Sequence, residues 1–90
     1  NYPPYTLISI GNIYFKQKNY EKAEEKYLEA LDNFNFIKNE KIKLEGSSTI
    51  YDNIGLINTL NKNYKVADSL FELAYNLRLK QKKDSGFAQN

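Results

Sequence analysis

Apolar residues along this chain recur at helical spacing. Leu7, Ile10 and Tyr14 stand at i, i+3 and i+7, which is one face of a helix. Pro3 and Pro4 suit its first turn, where a missing N–H costs nothing. The pattern fades at Lys16-Gln17-Lys18. A second stripe then runs through Tyr20, Ala23, Tyr27, Ala30, Leu31 and Phe34. Asn19 stands where its side-chain oxygen can accept from the free N–H groups of that second helix. Glu21 in the first turn complements the helix dipole. The same reading further along gives Tyr51, Ile54 and Gly55 on a third helix, Asn63 as a cap, and Ala67, Phe71 and Ala74 on a fourth. The spacing predicts helices over 4–17, 20–37, 46–61 and 64–81. No stretch alternates with strand period, so the expected fold class is all-α.

The second pair of helices repeats the first. Ile10-Gly11 and Ile54-Gly55 stand 44 residues apart. At that offset Asn19 meets Asn63, Tyr20 meets Tyr64, Ala23 meets Ala67, Tyr27 meets Phe71 and Ala30 meets Ala74. Small residues fall on small and aromatic on aromatic; Tyr14 against Asn58 is the exception. Glycine inside a helix costs about 1 kcal/mol against alanine. Its recurrence at Gly11 and Gly55 therefore points to two helices in close approach. Lys82-Lys83-Asp84-Ser85-Gly86 echoes Lys43-Leu44-Glu45-Gly46-Ser47 at a spacing of 40. It suggests a third unit starting at 84–90. The first unit then holds four extra residues around Asn39–Lys43. The expected organisation is one domain over 1–90: a repeat over 4–37, an extended linker over 38–45, a repeat over 46–81, and the start of a third.

Composition removes function classes rather than adding them. The chain has 90 residues, 41% apolar and 27% charged, so it can fold. The net charge of +2 and a single Arg among 13 basic residues argue against a nucleic-acid partner, because Arg carries most bidentate phosphate and base readout. There is no Cys for disulfide or thiol chemistry and no His for general-base work or metal binding. A nucleophile would have to be Ser, Tyr or Lys beside an activating base, and no such constellation stands at suggestive spacing. The four Gly are isolated, so no loop cradles a phosphate. Neither catalytic nor metal-binding residues nor a cofactor are expected. Glu21, Glu24, Glu25, Glu29 and Asp32 read as the solvated face of one helix, offset by Lys22 and Lys26. No apolar run is long enough to span a membrane. The chain starts at Asn1 and ends in Gly-Phe-Ala-Gln-Asn, which reads as a piece of a longer protein.

The residues that carry the repeat resemble the tetratricopeptide repeat, a helix–turn–helix unit of about 34 residues. Its motif positions are held here by Leu7, Ile10-Gly11, Tyr14, Ala23, Tyr27, Ala30 and Asn35. In the second unit they are held by Tyr51, Ile54-Gly55, Asn58, Ala67, Phe71, Ala74 and Leu79. The closing Pro of the motif is missing in both. The resemblance implies a helix–turn–helix solenoid, with two repeats and the start of a third. Asp52-Asn53-Ile54-Gly55 is also similar to extended units of bacterial signalling proteins.

In such solenoids the first helix of each repeat lines a concave groove. The resemblance places Tyr5, Ile8, Ser9, Asn12, Phe15 and Lys16 there, joined by Thr49, Asp52, Asn53, Leu56, Thr59 and Leu60. Each set shares one helix face. The implied partner is a peptide or protein. Asparagine amides can hydrogen-bond a peptide backbone irrespective of its sequence. Asn12 and Asn53 also fall at two positions by which some family members grip a C-terminal carboxylate, but Ile8 replaces the lysine of that clamp. Two alternatives stand beside the groove. Asn12 and Asn53 could simply satisfy neighbouring groups, and the piece could be a solenoid spacer or an oligomerisation element. Two repeats fall below the usual minimum of three, so the open ends are expected to associate into a homo-oligomer. Tyr14, Tyr20, Tyr27, Tyr51 and Tyr64 are expected in packing positions.

Overall fold

The computed structural model describes residues 2–84, which form four helices joined by short turns. They are α1 (Pro4–Lys16), α2 (Tyr20–Phe34), α3 (Glu40–Leu60) and α4 (Tyr64–Asp84). There is no strand among the described residues. Consecutive helices pack as two hairpins, α1 with α2 and α3 with α4, and α3 lies against α2 to join them. The described residues form a slab 43 × 32 × 17 Å. A helix with its side chains is about 10–12 Å across, so the slab is two helices thick.

Both hairpins close through the same turn. Lys18 and Lys62 sit at φ 62 and φ 66, in the left-handed region. Lys18 donates its N–H to the Phe15 carbonyl at 2.9 Å and Asn19 donates to Tyr14 at 2.9 Å. Lys62 donates to Thr59 at 3.0 Å and Asn63 to Asn58 at 2.8 Å. This paired bonding satisfies the last carbonyls of α1 and α3, and it usually recruits glycine. Lysine bears some strain there, since only glycine enters this region without a Cβ penalty.

Glycine and aromatic rings set the distance between helices. A Cβ on Gly11 would lie 2.6 Å from the Tyr27 ring, and one on Gly55 would lie 2.7 Å from the Phe71 ring. The two hairpins thus use one contact at the same register. Gly46 makes a third and tighter approach, where a Cβ would run into the Phe34 ring. That contact joins α3 to α2. The core runs through it: Leu7, Ala23, Tyr27, Ala30 and Phe34 meet Ile50, Ile54 and Ile57 of α3.

The structure corrects the boundary between the repeats. Residues 40–45, expected in an extended linker, are the first turns of α3. The Asn39 side chain accepts from the Ile42 N–H at 3.0 Å, as Asn19 does from Lys22 at 3.4 Å. Leu44, in the expected linker, is buried. The signals were Asn39-Glu40, an N-cap followed by an acid, and the run Leu44, Ser48, Tyr51, Gly55, which extends the helical face backwards. α2 ends at Phe34 rather than 37, and α4 continues to Asp84 rather than 81. The second hairpin is therefore longer than the first at the end carrying Glu40, where Lys80 pairs with Glu40 at 3.5 Å. The expected third unit falls mainly on 85–90, outside the described residues.

Asn58, where the first repeat has Tyr14, is buried. Its side-chain N–H donates to the Ile54 carbonyl at 2.9 Å, and its side-chain oxygen accepts from the Asn63 amide at 3.4 Å. The change of type exchanges a ring for a brace of the turn. Asn63, expected to cap α4 through its side-chain oxygen, gives its side-chain N–H to this brace.

Candidate functional site

The expected groove residues fall into two groups. Ile8 is buried in the core and offers no surface. Asp52, at the same register on α3, is ion-paired with Arg78 of α4. Both residues look toward the next element along the stack. On the first hairpin α3 lies there; on the second no described element does. Thr49 and Thr59 turn their hydroxyls back on their own helix, donating to the Glu45 and Gly55 carbonyls at 3.0 Å each.

The others are exposed or half-buried. Tyr5 is half exposed, and its ring meets Phe34 edge-on at 5.3 Å. Burial holds its phenol above the usual tyrosine range, and the neighbouring Glu45 carboxylate adds to the rise. Phe15 is half-buried, edge-on to Tyr20 at 5.4 Å. Lys16 and Ser9 are exposed. Asn12 is exposed, and its side-chain oxygen accepts the hydrogen bond of the Tyr27 phenol. Tyr27 is otherwise buried, which raises its pKa. Asn12 thereby provides the polar partner that lets a tyrosine fill the hairpin core. Asn53 is half-buried, and Leu56 and Leu60 are exposed. Asn12 and Lys16 on α1 hold the same repeat positions as Leu56 and Leu60 on α3, with Tyr5 and Asn53 on the same helices beside them. They make a strip of mixed apolar and amide character along the first helices.

Shallow clefts among the described residues lie elsewhere, and the sequence reading did not foresee them. One lies on the other side, where Leu31 and Asn35 of α2 face Leu44, Tyr51 and Leu77. One lies at the open end, between Lys41 and the Tyr75, Arg78 and Leu79 side chains. One lies by the amino terminus, lined by Tyr2, Asn33 and Phe36. Tyr64 was expected in packing and is 59% exposed; no described element covers that face of α4. Among the described residues no group of three or more His, Cys, Asp or Glu could hold a metal ion. None of the described helices is long and apolar enough to cross a membrane.

Antiparallel helices, paired through one recurring glycine–aromatic contact and carrying a strip of exposed and half-buried side chains along their first helices, define a helical-repeat scaffold. The sequence model of the tetratricopeptide repeat matches residues 4–80, and the chain belongs to that family. Members of this family generally act as non-catalytic modules of protein–protein interaction. Neither the search of curated proteins nor that of solved structures returned a match.

Proposed function

We propose that the chain docks an extended peptide segment of a partner protein along the strip formed by α1 and α3. One observation carries this reading: the Asn53 amide has no hydrogen-bond partner within the described chain and stands one turn from exposed Leu56. Asn12 spends its oxygen on Tyr27 but keeps its N–H donors. Amides can pair with a peptide main chain, while Tyr5, Leu56 and Leu60 offer apolar contact to its side chains. The likeness of Asp52-Asn53-Ile54-Gly55 to extended repeats of bacterial signalling proteins supports a place in a protein of that kind. A library of displayed random peptides, selected on the wild type and counter-selected on an Asn53→Ala/Leu56→Ala variant, tests the groove. Selected peptides should shift the amide resonances of Tyr5, Asn12, Asn53 and Leu56. Shifts confined to α4 or to the cleft beside Leu31 would sink the reading.

The second reading is association through the open end of the stack. It is favoured by the exposed rings of Tyr64, Phe71 and Tyr75 on the face of α4 that no described element covers.

A further inference from the structure

One face of α4 carries a stripe of six residues, Tyr64, Asp68, Phe71, Tyr75, Arg78 and Lys82, which is turned in part to α3 through Phe71 on Gly55 and Arg78 on Asp52. Their spacings alternate four and three, the seam of a helix built to lie along another helix. On α2 the same register is Tyr20, Glu24, Tyr27, Leu31 and Phe34, and α3 packs along that helix. On α4 the rings of Tyr64, Phe71 and Tyr75 are 59%, 37% and 62% exposed.

The stripe is complementary to itself when reversed. About Leu73 as centre, Phe71 mirrors Tyr75, Asp68 mirrors Arg78, and Tyr64 mirrors Lys82. Two copies of α4 laid antiparallel across a twofold axis therefore bring ring to ring at the centre. Each flank gains a carboxylate facing a guanidinium, and each end gains a cation facing a tyrosine ring. Asp68 is exposed and has no ion-pair partner in its own chain among the described residues. Arg78 binds Asp52 with one edge of its guanidinium and has further N–H donors to offer. An isologous contact of this kind satisfies both copies with one patch.

We propose that α4 pairs antiparallel with α4 of a second copy, Phe71 against the partner's Tyr75 and Asp68 against the partner's Arg78. The proposal rests on the reading that the open end associates, and it assigns the register. One helix from each copy gives an interface at the low end of specific sizes, below about 1,200 Å², so a micromolar dimer is expected. Sedimentation equilibrium on the wild type, Asp68→Arg, Arg78→Asp and an equimolar mixture of the two variants tests it, with circular dichroism confirming that each is folded. The wild type should dimerise. Each variant alone sets like charges across the axis and should lose at least about tenfold in association. The mixture restores both pairs and should dimerise again as a heterodimer. Asp68→Arg keeps the test decisive if Arg78→Asp, which also loses Asp52, fails to fold. A wild type that stays monomeric into hundreds of micromolar overturns both the open-end reading and the register. A wild type and an Asp68→Arg variant that dimerise alike overturn the register alone.

Discussion

The two hairpins are close copies in sequence and differ in what lies on them. Tyr27 is 1% exposed, while Phe71 at the same register is 37% exposed. Phe34 is buried under Gly46, while its counterpart Arg78 reaches into solvent and holds Asp52. Asp52 in turn stands where the first repeat has buried Ile8. On the first helices the asymmetry runs the other way. Ile57 is 1% exposed because α3 packs on α2, and Ile13 of α1 is 56% exposed because nothing described lies before it. A repeat specifies a hairpin and two outward faces. Whether a face belongs to the core depends on its neighbour in the stack. Solenoid stability accordingly divides into what each hairpin contributes and what each junction contributes.

Substitutions at matched positions can break that comparison. The largest effect is expected at the junction. Phe34→Ala empties the space beneath Gly46 and should destabilise the chain by about 3–5 kcal/mol. Arg78→Ala removes a partly exposed ion pair and should cost about 0–1 kcal/mol. Equal midpoints in urea denaturation for the two variants would refute the difference in burial. Alanine at the glycines gives a smaller effect whose size should differ between hairpins. At Gly11 the new Cβ meets a Tyr27 ring that is packed on all sides, and overpacking should cost about 1–3 kcal/mol. At Gly55 it meets Phe71, whose exposed ring can swing outward, so the gain of about 1 kcal/mol in helix propensity should roughly cancel the clash. Thermal melts of the two single variants read this directly.

The smallest effect sharpens the account of the Asn12–Tyr27 bond. Tyr27→Phe keeps the ring and loses the hydrogen bond, and it should cost about 0.5–1.5 kcal/mol at neutral pH. The pH dependence has a definite sign. Burial raises the Tyr27 pKa above the ordinary 10.0, so the folded chain holds that proton more tightly than the unfolded one. The stabilisation is complete below pH 10.0 and is lost as pH rises through the higher folded value. Tyr27→Phe should flatten that alkaline loss of stability, leaving the part due to Tyr5. An unchanged alkaline slope would show that Tyr27 is not the group being titrated.

Much of this was legible in the sequence because it depends on local spacing. The helices, the turns after Lys16 and Leu60, the cap at Asn19 and the close approach of two helices at Gly11 all follow from residues within a hairpin. The start of α3 was missed because the first unit's four extra residues, around Asn39–Lys43, read as an extended linker over 38–45. In the structure those residues are helical, and Gly46 just after them is in close contact with Phe34, which lies on another hairpin. The groove assignment of Ile8 failed for a related reason. The repeat pattern puts that position on the concave face, and the arrival of α3 buries it. Asp52 obeys the same pattern but meets Arg78, a pairing between helices that no spacing within α3 announces. Tyr5, Asn12 and Leu56 are exposed and Asn53 is half-buried, although Tyr5 and Asn12 each also reach α2, through Phe34 and Tyr27.

The sequence by itself determined four amphipathic helices, their pairing into two hairpins and the family to which they belong, since these rest on periods of three to four residues and on contacts within one unit. Only the tertiary structure decided which of the repeated faces became core, because an outward face loses its water only when another hairpin is laid upon it.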